Sequence, residues 1–165
     1  MIYGDGIRLR APEKDDLPRF VAWLNDPEVR ENLVMYLPIS MAQEEKPFAE
    51  QKFVLQISDM DPDKQTLVLN VASNIIKYYG PDKADVEIVA FGPGLRLLFV
   101  ENSNSGRIDG LTQSGVRFAA CGNTINKMTQ TLGNAPPLHS DSTVVPGGIV
   151  RIKELTDLGF LLVKP

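Results

Sequence analysis

After residue 50 the apolar positions gather into four runs: Phe53-Val54-Leu55, Val86-Glu87-Ile88-Val89-Ala90-Phe91, Val116-Arg117-Phe118-Ala119-Ala120 and Val144-Val145. Stretches with helical spacing lie between them, and strands that alternate with helices predict βαβ units around a parallel sheet. The first helix is the best marked. Asp61 can cap it, Pro62 suits its first position and Gly80 its exit, with Val68, Val71, Ala72, Ile75, Ile76 and Tyr79 as the buried stripe. Further helices are expected over Leu95 to Phe99, Arg107 to Gln113 and Thr124 to Leu132. A last one should follow Gly147-Gly148, with Ile149, Ile152 and Leu155 facing inward and Gly159 ending it, before Phe160-Leu161-Leu162-Val163 as a fifth strand. Right-handed crossovers place helices on both faces of such a sheet. The expected fold class is therefore α/β, a three-layer α/β/α arrangement with a mainly parallel five-stranded sheet.

The first fifty residues read differently. Ile7-Arg8-Leu9-Arg10 alternates apolar and charged residues, as a half-buried strand does, and Pro12 ends it. From Glu13 an acidic turn leads into Leu17, Phe20, Val21 and Leu24, an apolar stripe at helical spacing that Asn25-Asp26-Pro27 stops. Residues 28–50 are weakly patterned and predict a loop with a short helix. The α/β core thus carries a short N-terminal strand-helix extension, and we divide the chain into an N-terminal segment, 1–50, and an α/β domain, 51–165.

Composition sharpens the division and narrows the functions. Residues 1–50 hold six Lys and Arg against ten Asp and Glu, whereas the remainder holds eleven of each, a shift that points to segments of different origin. The net charge of −4 and the lack of any basic stripe argue against a nucleic-acid partner. No apolar run approaches the ~20 residues that span a bilayer, and the N-terminus has no basic segment followed by an apolar one, so a cytoplasmic location away from membranes is expected. A single Cys and a single His leave neither an internal disulfide nor a His/Cys metal cluster, so no metal site is expected.

In parallel sheets, ligands gather at the carboxyl ends of the strands, where helix N-termini offer unpaired N–H groups. Four loops qualify: Ser58 to Asp63, Gly92-Pro93-Gly94, Cys121-Gly122-Asn123-Thr124 and Pro146-Gly147-Gly148. The third carries the only thiol, at a strand end just before a helix, where partial positive charge favours thiolate over thiol. Gly122 removes bulk beside Cys121, and Asn123 or Thr124 could cap the helix or donate hydrogen bonds to the sulfur. The alternative reading is that Cys121 is a small buried hydrophobe, as free Cys commonly is. Gly92, Pro93 and Gly94, and likewise Gly147 with its neighbours, could cradle an anion with backbone N–H groups or simply form a turn and a helix entry. Ser58 is the binding candidate on the first loop. His139 lies in loop composition and reads as a solvated side chain, while Asp59, Asp61 and Asp63 read as capping and solvated groups.

Two family likenesses attach to these residues. Residues 52–165 resemble the DsrE/DsrF-like sulfur-relay family through Val54-Leu55-Gln56-Ile57-Ser58-Asp59, Val89-Ala90-Phe91-Gly92-Pro93-Gly94, Gly115 to Thr124 and Val144 to Arg151. The resemblance implies an α/β/α fold, assembly into homo-oligomers, no bound cofactor, and a strand-end Cys that carries persulfide sulfur. Cys121 is the equivalent position. With no second thiol in the chain, a sulfur donor or acceptor protein is the implied partner. Residues 7–46 resemble the opening of GNAT acetyltransferases through Ile7-Arg8-Leu9-Arg10-Ala11-Pro12, Asp15-Asp16-Leu17 and Trp23 to Arg30. The acetyl-CoA loop of those enzymes is missing, because Arg107-Ile108-Asp109-Gly110-Leu111-Thr112 ends in Thr and falls in a predicted helix. The expectation is a sulfur-relay protein acting through Cys121, whether or not it turns over as an enzyme, with a non-enzymatic oligomeric module for a small ligand or protein as the alternative and acetyl transfer set aside.

Overall fold

The computed structural model describes residues 2–4, 7–9, 16–24, 26 and 51–165. The chain forms two compact units, 1–47 and 48–165. In the first, strand β1 (Ile2–Gly4) pairs antiparallel with β2 (Ile7–Leu9), and helix α1 spans Leu17–Leu24. The hairpin extends the expected strand-helix pattern by one strand. Its signal was Asp5-Gly6, a two-residue hairpin sequence between the paired strands. The expectations for residues 28–50, and most of the acetyltransferase-like stretch, lie outside the described residues.

The second unit is an α/β fold around a five-stranded, all-parallel sheet. In chain order it comprises β3 (Gln51–Ile57), α2 (Pro62–Tyr79), β4 (Ala84–Ala90), a 3₁₀ segment (Gly92–Leu98), α3 (Ser105–Gln113), β5 (Val116–Cys121), α4 (Gly122–Leu132), β6 (Ser142–Val145), α5 (Gly148–Asp157) and β7 (Leu161–Val163). Helix α2 begins as its sequence requires: Asp61 Oδ1 accepts the N–H of Asp63 at 2.8 Å, and Pro62 occupies the first turn.

The strand order β6-β5-β4-β3-β7 settles which face each helix covers. Steps from β3 through β6 all run in one direction across the sheet, so right-handed crossovers place α2, the 3₁₀ segment, α3 and α4 on one face. The chain then crosses back from β6 to β7, and the same handedness puts α5 on the other. Burial agrees with this assignment. Val68, Leu69, Ala72, Leu95, Leu98 and Ile108 pack with Leu55, Ile88 and Phe118 on the first face. Ile152 and Leu155 pack with Val54, Val89, Ala119 and Phe160 on the second. Every residue of the central strand β4 is buried.

Three side chains depart from the expected pattern. Tyr79, expected on the buried stripe of α2, is 37% exposed at the last residue of that helix. Ile149, in the first turn of α5, is 61% exposed at the cleft, whereas Ile152 and Leu155 farther along the helix are buried against the sheet. His139 is only 9% exposed: its Nε2 lies 3.2 Å from Asp109, and its Nδ1 accepts the Asp141 N–H at 3.3 Å. The loop is polar in composition, yet its backbone is tied to the 3₁₀ segment through His139 N–H to the Leu98 carbonyl, which draws the ring inward.

Candidate functional site

Adjacent strands whose connections leave toward opposite faces open a crevice at their carboxyl ends. Here β5 leads into α4 on one face and β6 into α5 on the other, so the crevice falls between Cys121 and Gly147. A cleft of about 160 Å³ occupies that place. Cys121, Asn123 and Thr124 line it from the β5 side, and Gly147, Gly148, Ile149 and Val150 from the β6 side, with Phe91 from the end of β4.

Close approach of the two strand ends depends on small residues. A Cβ on Gly122 would lie 3.0 Å from the Val145 carbonyl oxygen, and one on Gly148 would lie 2.8 Å from Phe91 Cβ. The main chains can therefore meet around the sulfur, and Asn123 N–H donates across the gap to the Pro146 carbonyl at 3.2 Å.

Cys121 is 5% exposed and is the N-cap residue of α4, the position from which a side chain faces the N–H groups two and three residues on. Sulfur is a weak acceptor and closes no cap hydrogen bond by geometry. The surrounding groups nevertheless act on its charged form. Burial pushes the thiol up, but the Thr124 hydroxyl and the backbone N–H groups of Gly148, Thr124 and Asn123 outweigh it, and together they hold Cys121 below the ordinary cysteine range. These donors come from two helix N-termini, those of α4 and α5, whose dipoles add in the same sense. Among the described residues, Cys121 is the one ionisable residue lining the cleft.

The structure brings some of the sequence-predicted residues together and leaves others apart. Cys121, Asn123, Thr124 and Gly147 share the cleft, and Gly122 adjoins it. Gly92 reaches it indirectly, donating its N–H to Thr124 Oγ1 at 2.9 Å. Ser58, Pro93 and Gly94 are not among the lining residues. Ser58 accepts from Gln56 Nε2 at 3.5 Å, and Gly94 packs against the end of β3. As an anion cradle the Gly92-Pro93-Gly94 loop is weak, since one N–H is already engaged and Pro93 has none. Gly148, named with the Pro146-Gly147-Gly148 loop, also lines the cleft, and the lining residues that sequence reasoning missed are Phe91, Ile149 and Val150. Ile149 could have been found from its place in a helix start, whereas Phe91 joins only through strand order.

No family model matches the chain, and no curated protein matches it. A solved structure does. The protein of unknown function MTH1491 from Methanobacterium thermoautotrophicum is similar at a TM-score of 0.62 and 26% identity, over 70% of this chain and 99% of that one. The similarity therefore takes in essentially all of that protein, with a share of this chain equal to what residues 51–165 occupy.

Two other clusters of ionisable side chains lie outside the cleft. Asp109, His139 and Asp141 offer ligand atoms within 4.8 Å of one another. Both ring nitrogens of His139 are already engaged, one facing Asp109 and one accepting an N–H, so no metal can take three ligands there without breaking that arrangement. On the α5 face, Glu87 is 2% exposed and is clasped by Arg151, through Nε at 2.7 Å and Nη2 at 2.9 Å, and by Arg117 Nε at 3.1 Å. Burial alone would raise the Glu87 carboxyl, but the two guanidinium groups hold it below the usual range. Three hydrogen bonds from two guanidinium groups engage both of its oxygens, which marks it as structural.

Proposed function

We propose that the protein carries sulfane sulfur as a persulfide on Cys121, in the manner of DsrE/DsrF-like relay proteins. The observation that supports this most directly is the convergence of two helix N-termini and a hydroxyl on the chain's only thiol, within a cleft. Lowering the thiol pKa enlarges the thiolate fraction at a given pH, and the thiolate is the nucleophile of sulfur exchange. In the proposed step the Cys121 thiolate attacks the outer sulfur of a donor persulfide. The S–S bond of the donor breaks, the donor departs as a thiolate, and Cys121 retains the outer sulfur as its own persulfide anion. Charge and oxidation state balance, with no further reagent. The same N–H groups that favour the thiolate then face the negative sulfur of the product, and the cleft gives the added atom room. Because the chain holds no second Cys, the sulfur must arrive from and leave to another molecule, a donor or acceptor protein.

Mass measurement of the reduced protein after exposure to a small-molecule persulfide tests the proposal. The expected product is the intact chain plus one sulfur atom, removable by a thiol reductant and missing from Cys121→Ala. Failure of the unaltered protein to gain that mass at neutral pH would overturn the carrier reading. An unreactive Cys121 beside a cleft that takes up an apolar ligand instead would favour a binding module, the role to which the exposed Ile149 and Val150 at the cleft are suited.

A further inference from the structure

Helix α4 holds three threonines whose hydroxyls are placed differently. Thr129 and Thr131 donate to the carbonyls four residues back, Ile125 at 2.8 Å and Lys127 at 3.0 Å, the usual use of a threonine proton within a helix. Thr124 stands in the first turn, where no helical carbonyl lies behind it, and its oxygen instead accepts the Gly92 N–H at 2.9 Å. A hydroxyl has one proton, and an N–H donor on its oxygen turns that proton away toward another acceptor. Cys121, in the same cleft, is where it can go.

Resting on the carrier reading, we propose that Thr124 is a positioning residue for Cys121: the Gly92 N–H fills the acceptor side of its hydroxyl and commits the hydroxyl proton to the sulfur. The loop after β4 thereby acts on the thiol at the end of β5. Its own geometry is tightly held. Gly92 adopts φ +55°, a left-handed value that favours glycine, and a Cβ on Gly94 would come within van der Waals overlap of the Ile57 carbonyl. Among the described residues, no carboxylate, Lys, Arg or His lines the cleft from β4, β5, α4 or α5, so the hydroxyl and the backbone dipoles are the groups that bear on the sulfur.

The test is a pH titration of the full chain that follows the ultraviolet absorbance of the thiolate, with Cys121→Ala as the blank. Thr124→Val should raise the midpoint by about one pH unit, the effect of removing one hydrogen bond to a charged group. Thr124→Ser should restore the unaltered midpoint, and Thr124→Ala serves should the valine variant fail to fold. A folded Thr124→Val or Thr124→Ala protein with an unchanged midpoint, or a serine variant that fails to restore it, would overturn the assignment. Sulfur loading is read by mass on the same samples. Loss of loading in the unaltered protein would remove the carrier reading while the titration still decides the role of Thr124; an unmoved midpoint with loading intact would remove that role alone.

Discussion

The α5 face of the sheet carries two polar constructions, one at the Glu87–Arg117 pair and one at Cys121 farther along β5, and they satisfy opposite demands. Around Glu87, charge is met by charge: one buried carboxylate takes two guanidinium groups, Arg117 also pairs with Asp85, and Arg151 also faces Glu154 at 3.4 Å. Around Cys121, charge is met only by dipoles, the N–H groups of two helix starts and one hydroxyl. A paired ionic cluster is complete in itself and has nothing left to offer a ligand. A thiolate held by neutral donors can take on or release an atom without stranding a buried countercharge, because its partners carry no net charge. The first construction locks α5 to β4 and β5 through Arg151; the second uses the N-terminus of the same helix, one turn earlier. Structure in one place positions chemistry in the other.

The contrast can be broken from the structural side first. Glu87→Ala would remove the buried carboxylate that the two guanidinium groups share, leaving Arg117 with Asp85 and Arg151 with Glu154 alone, and urea unfolding should show a loss of about 3–5 kcal/mol. A loss below about 1 kcal/mol would mean that the arginines find water or other partners and that the cluster does not lock the helix. A smaller effect is expected at the site. Gly148→Ala brings a methyl to 2.8 Å from Phe91 Cβ, so the start of α5 must move. Overpacking of this kind costs about 1–3 kcal/mol, and the same displacement should draw the Gly148 N–H from the sulfur and raise the thiol midpoint.

The smallest effect separates the two by pH. Both groups have folded-state pKa values below their unfolded ones, so each contributes stability that is fully present above its unfolded pKa and is lost as pH falls through its folded value. For Glu87 the loss lies in the acid range, beneath the ordinary carboxyl value of 4.5. For Cys121 it lies in the window beneath 9.0. The stability difference between the unaltered protein and Glu87→Gln should therefore be flat around neutrality and shrink in acid. The corresponding difference for Cys121→Ser should grow as pH rises through neutral toward 9.0. Identical pH profiles for the two variants would show that the groups are not electrostatically distinct.

Much of the α/β unit was legible in the order of its residues. Val86 to Ala90 has no polar interruption except Glu87, which is how a central strand buried on both faces reads, and Asp61-Pro62 with Gly80 bracket α2 at both ends. Cys121 was legible for the same reason: an apolar run ends on it and a helix begins after it. Glu87 gave the opposite impression, a charged residue within an apolar strand whose partners lie 30 and 64 residues away, so nothing local shows how it is satisfied. Ile149 was read as inward because helical spacing gives a phase but not the point at which the helix leaves the sheet.

By itself the sequence determined the alternation of strands and helices, the strand-end position of the only thiol, and the glycines that let main chains meet beside it. These are local consequences of hydrophobic period, capping and side-chain size, which act over a few residues. The tertiary structure decided that β6 lies beside β5 while its helix returns on the opposite face. That single topological fact brings Gly148 N–H to Cys121 and Arg151 to Glu87, while the pairing of β4 with β5 brings Phe91. It could not be read in advance, because strand order is chosen by the burial of whole faces, a sum over contacts between residues far apart in the chain.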